Sequence, residues 1–462
     1  MYDLPFDTEI SGVCVDSRKV EKGSLFICIN GECEDGHKYA KEALEKGAAL
    51  VVCERDLGLE KSAVVRNTRV EAARIFSAFY ERPERELPIA AVTGTNGKTS
   101  VTFMLGAIYD AIGVKNGIIG TLGCYRPDGI TRTENTTPGP EVLYKELRRM
   151  RDAGCEKVFM EVSSHAKVLG RVEPIEFDCG IYTCLTRDHL DFHKSMDEYA
   201  RVKESILNRC KRGIFNTDDE TVVGAYRRYG GERISFGLNL RADVFAQDIK
   251  YLEQGVRYTV DCFGEKREVI VRSSGIFGVY NSLAAIAFAA ADNVELDKAL
   301  EALTRFSGVE GRMEKVYDGE FTVIIDFAHT PDAMEKAIEC VRQSYTQRPL
   351  TLVFGCGGDR DKGKRKRMGE ISRSAEKVIV TSDNVRFEKG EDIISEILSG
   401  NESALAIKDR RNALEYAIDT AEKGDVILIT GKGHEHYEIV KNRKISFSER
   451  EIIRDRIKNK EM

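Results

Sequence analysis

The sequence predicts an α/β protein built as three domains, at residues 1–86, 87–310 and 311–462. Three observations predict it. Short apolar runs alternate with helical patterns along nearly the whole chain, as in sheets flanked by helices. Pro83 and Pro88 flank the charged stretch Glu84-Arg85-Glu86, which has the composition of a linker. Further on, the turn-rich Phe306-Ser307-Gly308-Val309-Glu310-Gly311 precedes a new apolar run at 321–325.

In the first domain, β-branched runs at 25–29, 49–53 and 63–65 are the expected strands, and 39–46 is an expected helix. In the second, Pro88-Ile89-Ala90-Ala91-Val92 reads as a buried strand and 100–111 as a helix. Gly94, Thr95, Asn96, Gly97, Lys98 and Thr99 therefore occupy a strand-to-helix turn. Such a turn aims backbone N–H groups and a helix N-terminus at a polyphosphate, with Lys98 neutralising the β and γ charges and Thr99 offering its hydroxyl to magnesium. The spacing G-x-x-G-K-T is shorter than the general phosphate-loop pattern, because Val92 takes the first glycine's place. ATP or GTP binding is predicted; a lysine-bearing glycine turn without a ligand is the bland alternative.

The run 157–160 is another expected strand and leads into Glu161-Val162-Ser163-Ser164-His165. Glu161 there suits either a magnesium contact or a strand-end carboxylate bonded to a loop. Arg187-Asp188-His189-Leu190-Asp191-Phe192-His193 gathers histidines and carboxylates ahead of a helix from about residue 197. All seven histidines lie in polar clusters, a distribution that favours function over core packing. On the helix, Lys203 lies four residues from both Tyr199 and Leu207 and shares their apolar face. Alone it fits a lysine whose stem covers apolar surface while its head reaches water. In the third domain Leu352-Val353-Phe354, Val378-Ile379-Val380 and the run 426–429 each end in a polar cluster, where parallel sheets carry ligand groups.

Composition narrows the function. The 462 residues are 42% apolar and 32% charged, with a net charge of −6 spread over both signs, which excludes nucleic acid as the main partner. The basic run 360–367 reads as a solvated loop. The chain opens with no basic and apolar leader and holds no apolar run of membrane-spanning length, so a cytoplasmic protein without membrane insertion is expected. Twelve cysteines contain no C-x-x-C pair and sit mostly in apolar stretches; they are expected to be reduced core residues.

The motifs occur in an order that resembles the Mur ligases over nearly the whole chain. They are Val15-Asp16-Ser17-Arg18-Lys19-Val20, Asp35-Gly36-His37, the 93–99 turn, Asn135-Thr136-Thr137-Pro138, 161–165, 187–193, Gly311-Arg312-Met313-Glu314, Asp326-Phe327-Ala328-His329, 355–365, Asp383-Asn384-Val385-Arg386 and Gly431-Lys432-Gly433-His434-Glu435. The resemblance implies a UDP-binding first domain, a P-loop ATPase-like central domain and a Rossmann-like third domain. It implies ATP-dependent amide ligation in peptidoglycan precursor synthesis, in which an acid is phosphorylated and the acyl phosphate is attacked by an amino acid's amine.

Carried over by motif, Lys98 and Thr99 hold phosphates and magnesium, Glu161 and His189 bind metal, and Lys203 reacts with carbon dioxide to become a carboxylate-like carbamate. Asn281 matches an adenine contact, Arg312 a γ-phosphate contact, and Asp326 and His329 nucleotide contacts. Ser17, Asn135, Thr136, Thr137, Ser163 and Arg171 match contacts to a UDP-sugar-peptide; singly they also fit turn caps, a helix start and a surface ion pair. Arg360, Asp383, Asn384, Arg386, Gly431 and Glu435 match contacts to the incoming amino acid. Arg386 corresponds to the residue that meets the distal carboxylate of meso-diaminopimelate, and Glu435 to the one that meets its distal ammonium, with UDP-N-acetylmuramoyl-L-alanyl-D-glutamate as acceptor. The partners implied are small molecules, and a monomer is expected. Val385 stands where the family has proline, and Gly278, Lys167 and Leu169 also depart from its pattern. These departures leave lysine or another amino acid, or a non-catalytic nucleotide-binding paralogue, as alternatives.

Overall fold

A computed structural model describes residues 9–31, 34–188, 192–273 and 275–461, and the chain divides into two compact units. The first comprises Met1–Asp243 and Ala284–Lys298, the second Val244–Leu283 and Ala299–Met462. The architecture is α/β, as the alternating pattern predicts.

In the first unit, strands Gly12–Cys14, Ser24–Ile27, Leu50–Cys53 and Ser62–Val64 form a parallel sheet in sequence order. Because side chains alternate along a strand, the sheet buries two faces. Phe26, Cys28, Val51 and Cys53 pack with Ala40 and Ala43 of the helix Ala40–Glu45. Leu25, Ile27, Leu50 and Val52 face the other way and join a core that continues through Phe76 to Leu143, Tyr144 and Leu147. The small sheet and the larger one beside it thus share apolar contacts. All eleven described cysteines are free, and nine of them are buried.

The larger sheet of this unit runs Glu232–Gly237, Cys210–Asn216, Phe177–Tyr182, Ile89–Thr93, Lys157–Glu161 and Asn116–Gly120, all parallel, and then turns antiparallel through Gly123–Arg126 and Gly129–Thr131. Ile89–Thr93 is fully buried between two parallel neighbours, in keeping with its unbroken apolar run. Register sets Val92 opposite Glu161 and Thr93 opposite Tyr182, so three strand ends meet around the turn that follows Thr93.

The second unit begins with an antiparallel ribbon, Val244–Leu252, Gly255–Cys262 and Glu265–Val271, where the sequence pattern suggests continued alternation of strands and helices. The turns at Gly255 and Gly264 leave no room for a helix between these strands. Its main sheet runs Glu314–Asp318, Thr322–Asp326, Val426–Thr430, Leu350–Phe354, Lys377–Val380 and Leu405–Ala406, parallel except at its first strand. Helices Pro331–Ser344, Gly363–Ser372 and Gly390–Leu398 cover one face through Met334, Met368 and Ile393, and Arg410–Asp419 and Glu449–Glu461 cover the other through Leu414 and Ile453. The three apolar runs predicted as strands are Leu350–Phe354, Lys377–Val380 and Val426–Thr430, and the polar groups that follow them share one edge of a doubly wound sheet.

Candidate active site

The turn after Thr93 has the geometry of a phosphate loop. Gly94 has φ +144°, and a Cβ there would lie 1.9 Å from Thr183 Oγ1, so only glycine fits. Gly97, with φ +87°, hands the chain to the helix Lys98–Ala111, whose first N–H groups face the turn. The loop is braced from the neighbouring strand end. Thr183 Oγ1 donates to the Asn96 carbonyl at 2.6 Å, Thr95 N donates to the Cys184 carbonyl at 2.9 Å, and Thr186 N donates to Thr95 Oγ1 at 3.0 Å. Lys98 Nζ lies 3.0 Å from the Gly94 carbonyl and 2.9 Å from that of Thr95, its charge held at the mouth of the loop.

Glu161 is fully buried at the end of its strand. Oε2 accepts from Thr99 Oγ1 and Thr121 Oγ1, each at 3.1 Å, and Oε1 accepts from Thr121 N at 2.9 Å. Thr121 was not among the residues singled out by sequence. Its signal is a hydroxyl directly after the apolar strand Asn116–Gly120, at the carboxyl end of a parallel sheet.

Lys203 lies on the helix Met196–Leu207 with Tyr199, Ile206 and Leu207 as buried neighbours, the apolar face the spacing predicts. It is 1% exposed, so its head does not reach water. Nζ donates to the Gly94 carbonyl at 2.8 Å and stands 4.8 Å from the centre of the Tyr199 ring. Burial, and then the charge of Lys98, push its pKa well below the ordinary lysine value. His193 Nε2 is 2.9 Å from Ser164 Oγ, and its ring lies against Tyr199 at 4.9 Å. His189 lies outside the described residues. Among the described residues no three His, Cys, Asp or Glu side chains gather as a metal cluster.

The other predicted positions of this unit form a second strip. Thr137 Oγ1 donates to the Glu161 carbonyl at 2.8 Å and accepts from Ser163 N at 3.0 Å, while Thr136 Oγ1 lies 3.1 Å from Thr121 Oγ1. Ser163 caps the helix Ser164–Val168 through Ala166 N. Arg171 donates to the Thr137 carbonyl at 2.6 Å, and burial lowers its pKa. Asn135 is exposed beside them, its carbonyl accepting from Thr133 Oγ1. Ser17 starts a short 3-10 turn capped by Asp16, and its carbonyl accepts from Lys46 Nζ. His37 runs against the functional reading of the histidines: it is 4% exposed, with Nδ1 2.6 Å from Asp35 Oδ1 and Nε2 accepting from Glu54 N at 2.9 Å. The Asp35-Gly36-His37 motif therefore staples the first sheet.

In the second unit, Asp326 accepts from Met313 N and Ala328 N, both at 2.8 Å; desolvation raises its pKa, and Arg312 partly offsets this. The Arg312 guanidinium stacks 4.6 Å from the Phe327 ring, and His329 Nδ1 lies 2.9 Å from the Phe327 carbonyl. Asn281 is buried on the helix Gly275–Ala291. Gly431 N donates to the Asp326 carbonyl at 3.2 Å, joining these residues to a second group. In that group Asn384 Nδ2 donates to Glu435 Oε2 at 2.8 Å, while Asn384 Oδ1 accepts from Lys432 Nζ at 3.2 Å and Ile439 N at 2.9 Å. Desolvation would raise the Asp383 pKa, but Lys432 and Arg410 outweigh it and hold the carboxyl below its ordinary value. Burial raises the Glu435 pKa. Burial, and then exposed Arg360, lower that of Arg386.

The basic run needs a correction. Residues Gly363–Ser372 are helical, and Arg365 is fully buried, bound by two nitrogens to Glu388 at 2.8 and 3.0 Å and to Glu396 at 3.0 Å. Two carboxylates distant in sequence neutralise it, which a local reading of charge does not reveal. Lys362, Lys366 and Arg367 are exposed as expected.

Three family models match the chain in succession: Mur ligase family, catalytic domain, over residues 9–93; Mur ligase middle domain over 92–289; and Mur ligase, glutamate ligase domain, over 311–433. A UDP-N-acetylmuramoyl-L-alanyl-D-glutamate--2,6-diaminopimelate ligase of Caldanaerobacter subterraneus is 40% identical over 459 residues, 97% of this chain and 95% of that one. The chain belongs to the Mur ligase family. A ligase of the same name from Clostridioides difficile is likewise 40% identical, over 96% of this chain and 94% of its own. A solved structure of a ligase of that name superposes with a TM-score of 0.71 at 29% identity, covering 100% of this chain and 98% of that one.

The departures of this Mur ligase from the family pattern acquire physical explanations. At Gly278 a Cβ would lie 2.6 Å from the Ser273 carbonyl, so a side chain there has no room. Lys167 lies 3.4 Å from Glu173 Oε2 in a partly buried ion pair, and Leu169 caps its short helix through its backbone. After Val385, Arg386 takes φ +51°; its N–H donates to the Ile439 carbonyl at 3.0 Å and its own carbonyl accepts from Lys441 N at 2.8 Å. Arg386 NH1 then donates to the Gly358 carbonyl at 2.8 Å. Bonds to the hairpin strand Tyr437–Val440 aim the arginine where the family uses proline.

Proposed function

We propose that this Mur ligase is an ATP-dependent amide ligase that adds meso-diaminopimelate to UDP-N-acetylmuramoyl-L-alanyl-D-glutamate, with domains at 1–86, 87–310 and 311–462. The observation that carries the amino-acid assignment is the placement of a guanidinium and a carboxylate on one residue, Asn384: Arg386 NH1 donates to its carbonyl at 3.3 Å, and Glu435 Oε2 accepts from its Nδ2 at 2.8 Å. Diaminopimelate ends in a carboxylate and an ammonium at one carbon; lysine offers only the ammonium. A guanidinium complements the first group and a carboxylate the second. Relatives 40% identical over nearly the full length bear the name of that activity.

The donor set fits magnesium, since Thr99 and Glu161 present oxygens and hard cations near phosphates take oxygen ligands. Bound magnesium supplies charge neutralisation during phosphate transfer. The loop N–H groups and Lys98 hold the polyphosphate. The strip Thr136, Thr137, Ser163 and Arg171 orients the acceptor, together with Ser17 and Asn135. Arg312, Asp326, His329 and Asn281 hold the nucleotide, and Arg360, Asp383, Gly431, Asn384, Arg386 and Glu435 the amino acid. His189 is assigned to metal by motif alone. Lys203 fits carbamylation by carbon dioxide: burial beside a cation favours its free amine, and only the free amine attacks carbon dioxide. A cytoplasmic monomer is proposed, supported as to compartment by the free cysteines. No described helix is long and apolar enough to cross a membrane.

Steady-state ADP release with magnesium, ATP and the UDP-dipeptide tests the reading. Turnover is expected with meso-diaminopimelate and at most residual with lysine. Turnover with lysine alone overturns the amino-acid assignment, and no turnover with any amine overturns the ligase reading.

A further inference from the structure

Thr121 stands between two groups. Its hydroxyl is 3.1 Å from Glu161 Oε2 and 3.1 Å from Thr136 Oγ1, and its N–H holds Glu161 Oε1 at 2.9 Å. A carboxylate only accepts, and a hydroxyl carries one proton. Thr121 O–H therefore donates to Glu161, and its oxygen accepts from Thr136 O–H. The result is a directed chain: Thr136 to Thr121 to Glu161.

We propose that Thr121 is a positioning residue that couples acceptor binding to the hold of Glu161 on its divalent cation. The proposal rests on the reading that Glu161 binds the cation and that Thr136 meets the acceptor. Hydrogen bonds in a chain strengthen one another. An acceptor oxygen that draws the Thr136 proton to itself removes the donor from Thr121, and Thr121 then donates less strongly to Glu161. The Glu161 oxygens keep more charge for the cation, so acceptor binding tightens cation binding. Linkage makes the effect reciprocal.

The test is the magnesium dependence of the enzyme at low and saturating UDP-dipeptide, read directly as magnesium binding by titration calorimetry without amino acid and, alongside it, as the activation curve. In the natural protein, half-maximal magnesium is expected to fall about fivefold as the acceptor saturates. Thr121→Val keeps the shape and the N–H but loses the hydroxyl, and is expected to abolish this dependence. Thr121→Ser restores it. Thermal midpoints of both variants identify any loss of fold, and Thr121→Ala serves as a second hydroxyl-free variant. A Thr121→Val or Thr121→Ala enzyme that keeps the natural dependence overturns the proposal, as does a natural enzyme that shows none. Glu161→Gln separates the underlying reading: if it leaves half-maximal magnesium unchanged, the metal assignment fails whatever Thr121 does.

Discussion

Lys203 and Lys432 are buried almost equally, at 1% and 0% exposure, yet their charges are handled in opposite ways. Lys432 meets Asp383 Oδ1 at 3.5 Å, Asn384 Oδ1 at 3.2 Å and the Tyr437 carbonyl at 2.8 Å. Lys203 donates to a neutral carbonyl, that of Gly94, and its strongest charged neighbour is another cation, Lys98. A buried charge that meets a carboxylate and two oxygens acts as architecture. A buried amine placed beside like charge is an unpaid desolvation cost, and such costs collect where chemistry is done. Lys432 orders a turn; Lys203 is kept reactive.

The largest expected effect falls on turnover. Lys203→Ala is expected to lower kcat by about four orders of magnitude, with the thermal midpoint held or raised. Partial recovery with acetate or formate, short carboxylates that stand in for the carbamate, would identify the missing group. Full activity in the variant removes Lys203 from the mechanism. Next in size is Lys432→Met, which strands Asp383 and one side of Asn384. Breaking a buried pair from one side costs about 3 kcal/mol, readable as a lower urea midpoint. If Lys432→Met is as stable as the natural protein, the two lysines are alike and the contrast fails. Arg386→Ala ranks third, with the KM for diaminopimelate expected to rise about thirtyfold, or about 2 kcal/mol, while that for ATP holds.

The sequence makes the setting of Lys203 readable and hides that of Lys432. The phosphate loop, its strand and its helix are contiguous, and the four-residue spacing of Tyr199, Lys203 and Leu207 places the lysine on an apolar face without any distant residue. The partners of Lys432, Asp383 and Asn384, lie 49 and 48 residues away, and those of Arg365, Glu388 and Glu396, lie 23 and 31 away on other elements. Only the folded sheet brings these together, so Arg365 passes for a solvated charge. The positive φ of Arg386 is hidden for the same reason: the hairpin that enforces it lies more than fifty residues on. Thr121, by contrast, was available at a strand's carboxyl end. A lone threonine has no distinctive spacing, and only the approach of Glu161 gives it meaning.

The smallest effect discriminates most sharply between the lysines. Lys203→Met replaces a desolvated amine by an apolar chain of similar length and is expected to stabilise the protein by about 1–2 kcal/mol near neutral pH, in buffer free of carbon dioxide. The sign of its pH dependence follows from the lowered pKa of Lys203. Between that lowered value and the ordinary lysine value, the unfolded chain binds a proton that the folded protein does not, so the stability of the natural protein rises with pH across this window. Above it both states carry the free amine and the burden disappears. The advantage of Lys203→Met is therefore greatest on the acid side and shrinks as pH climbs from about 6.5 to about 9.5, measured as paired urea midpoints. An advantage that grows with pH would mean that the folded protein holds Lys203 as a paired ammonium, which does not attack carbon dioxide.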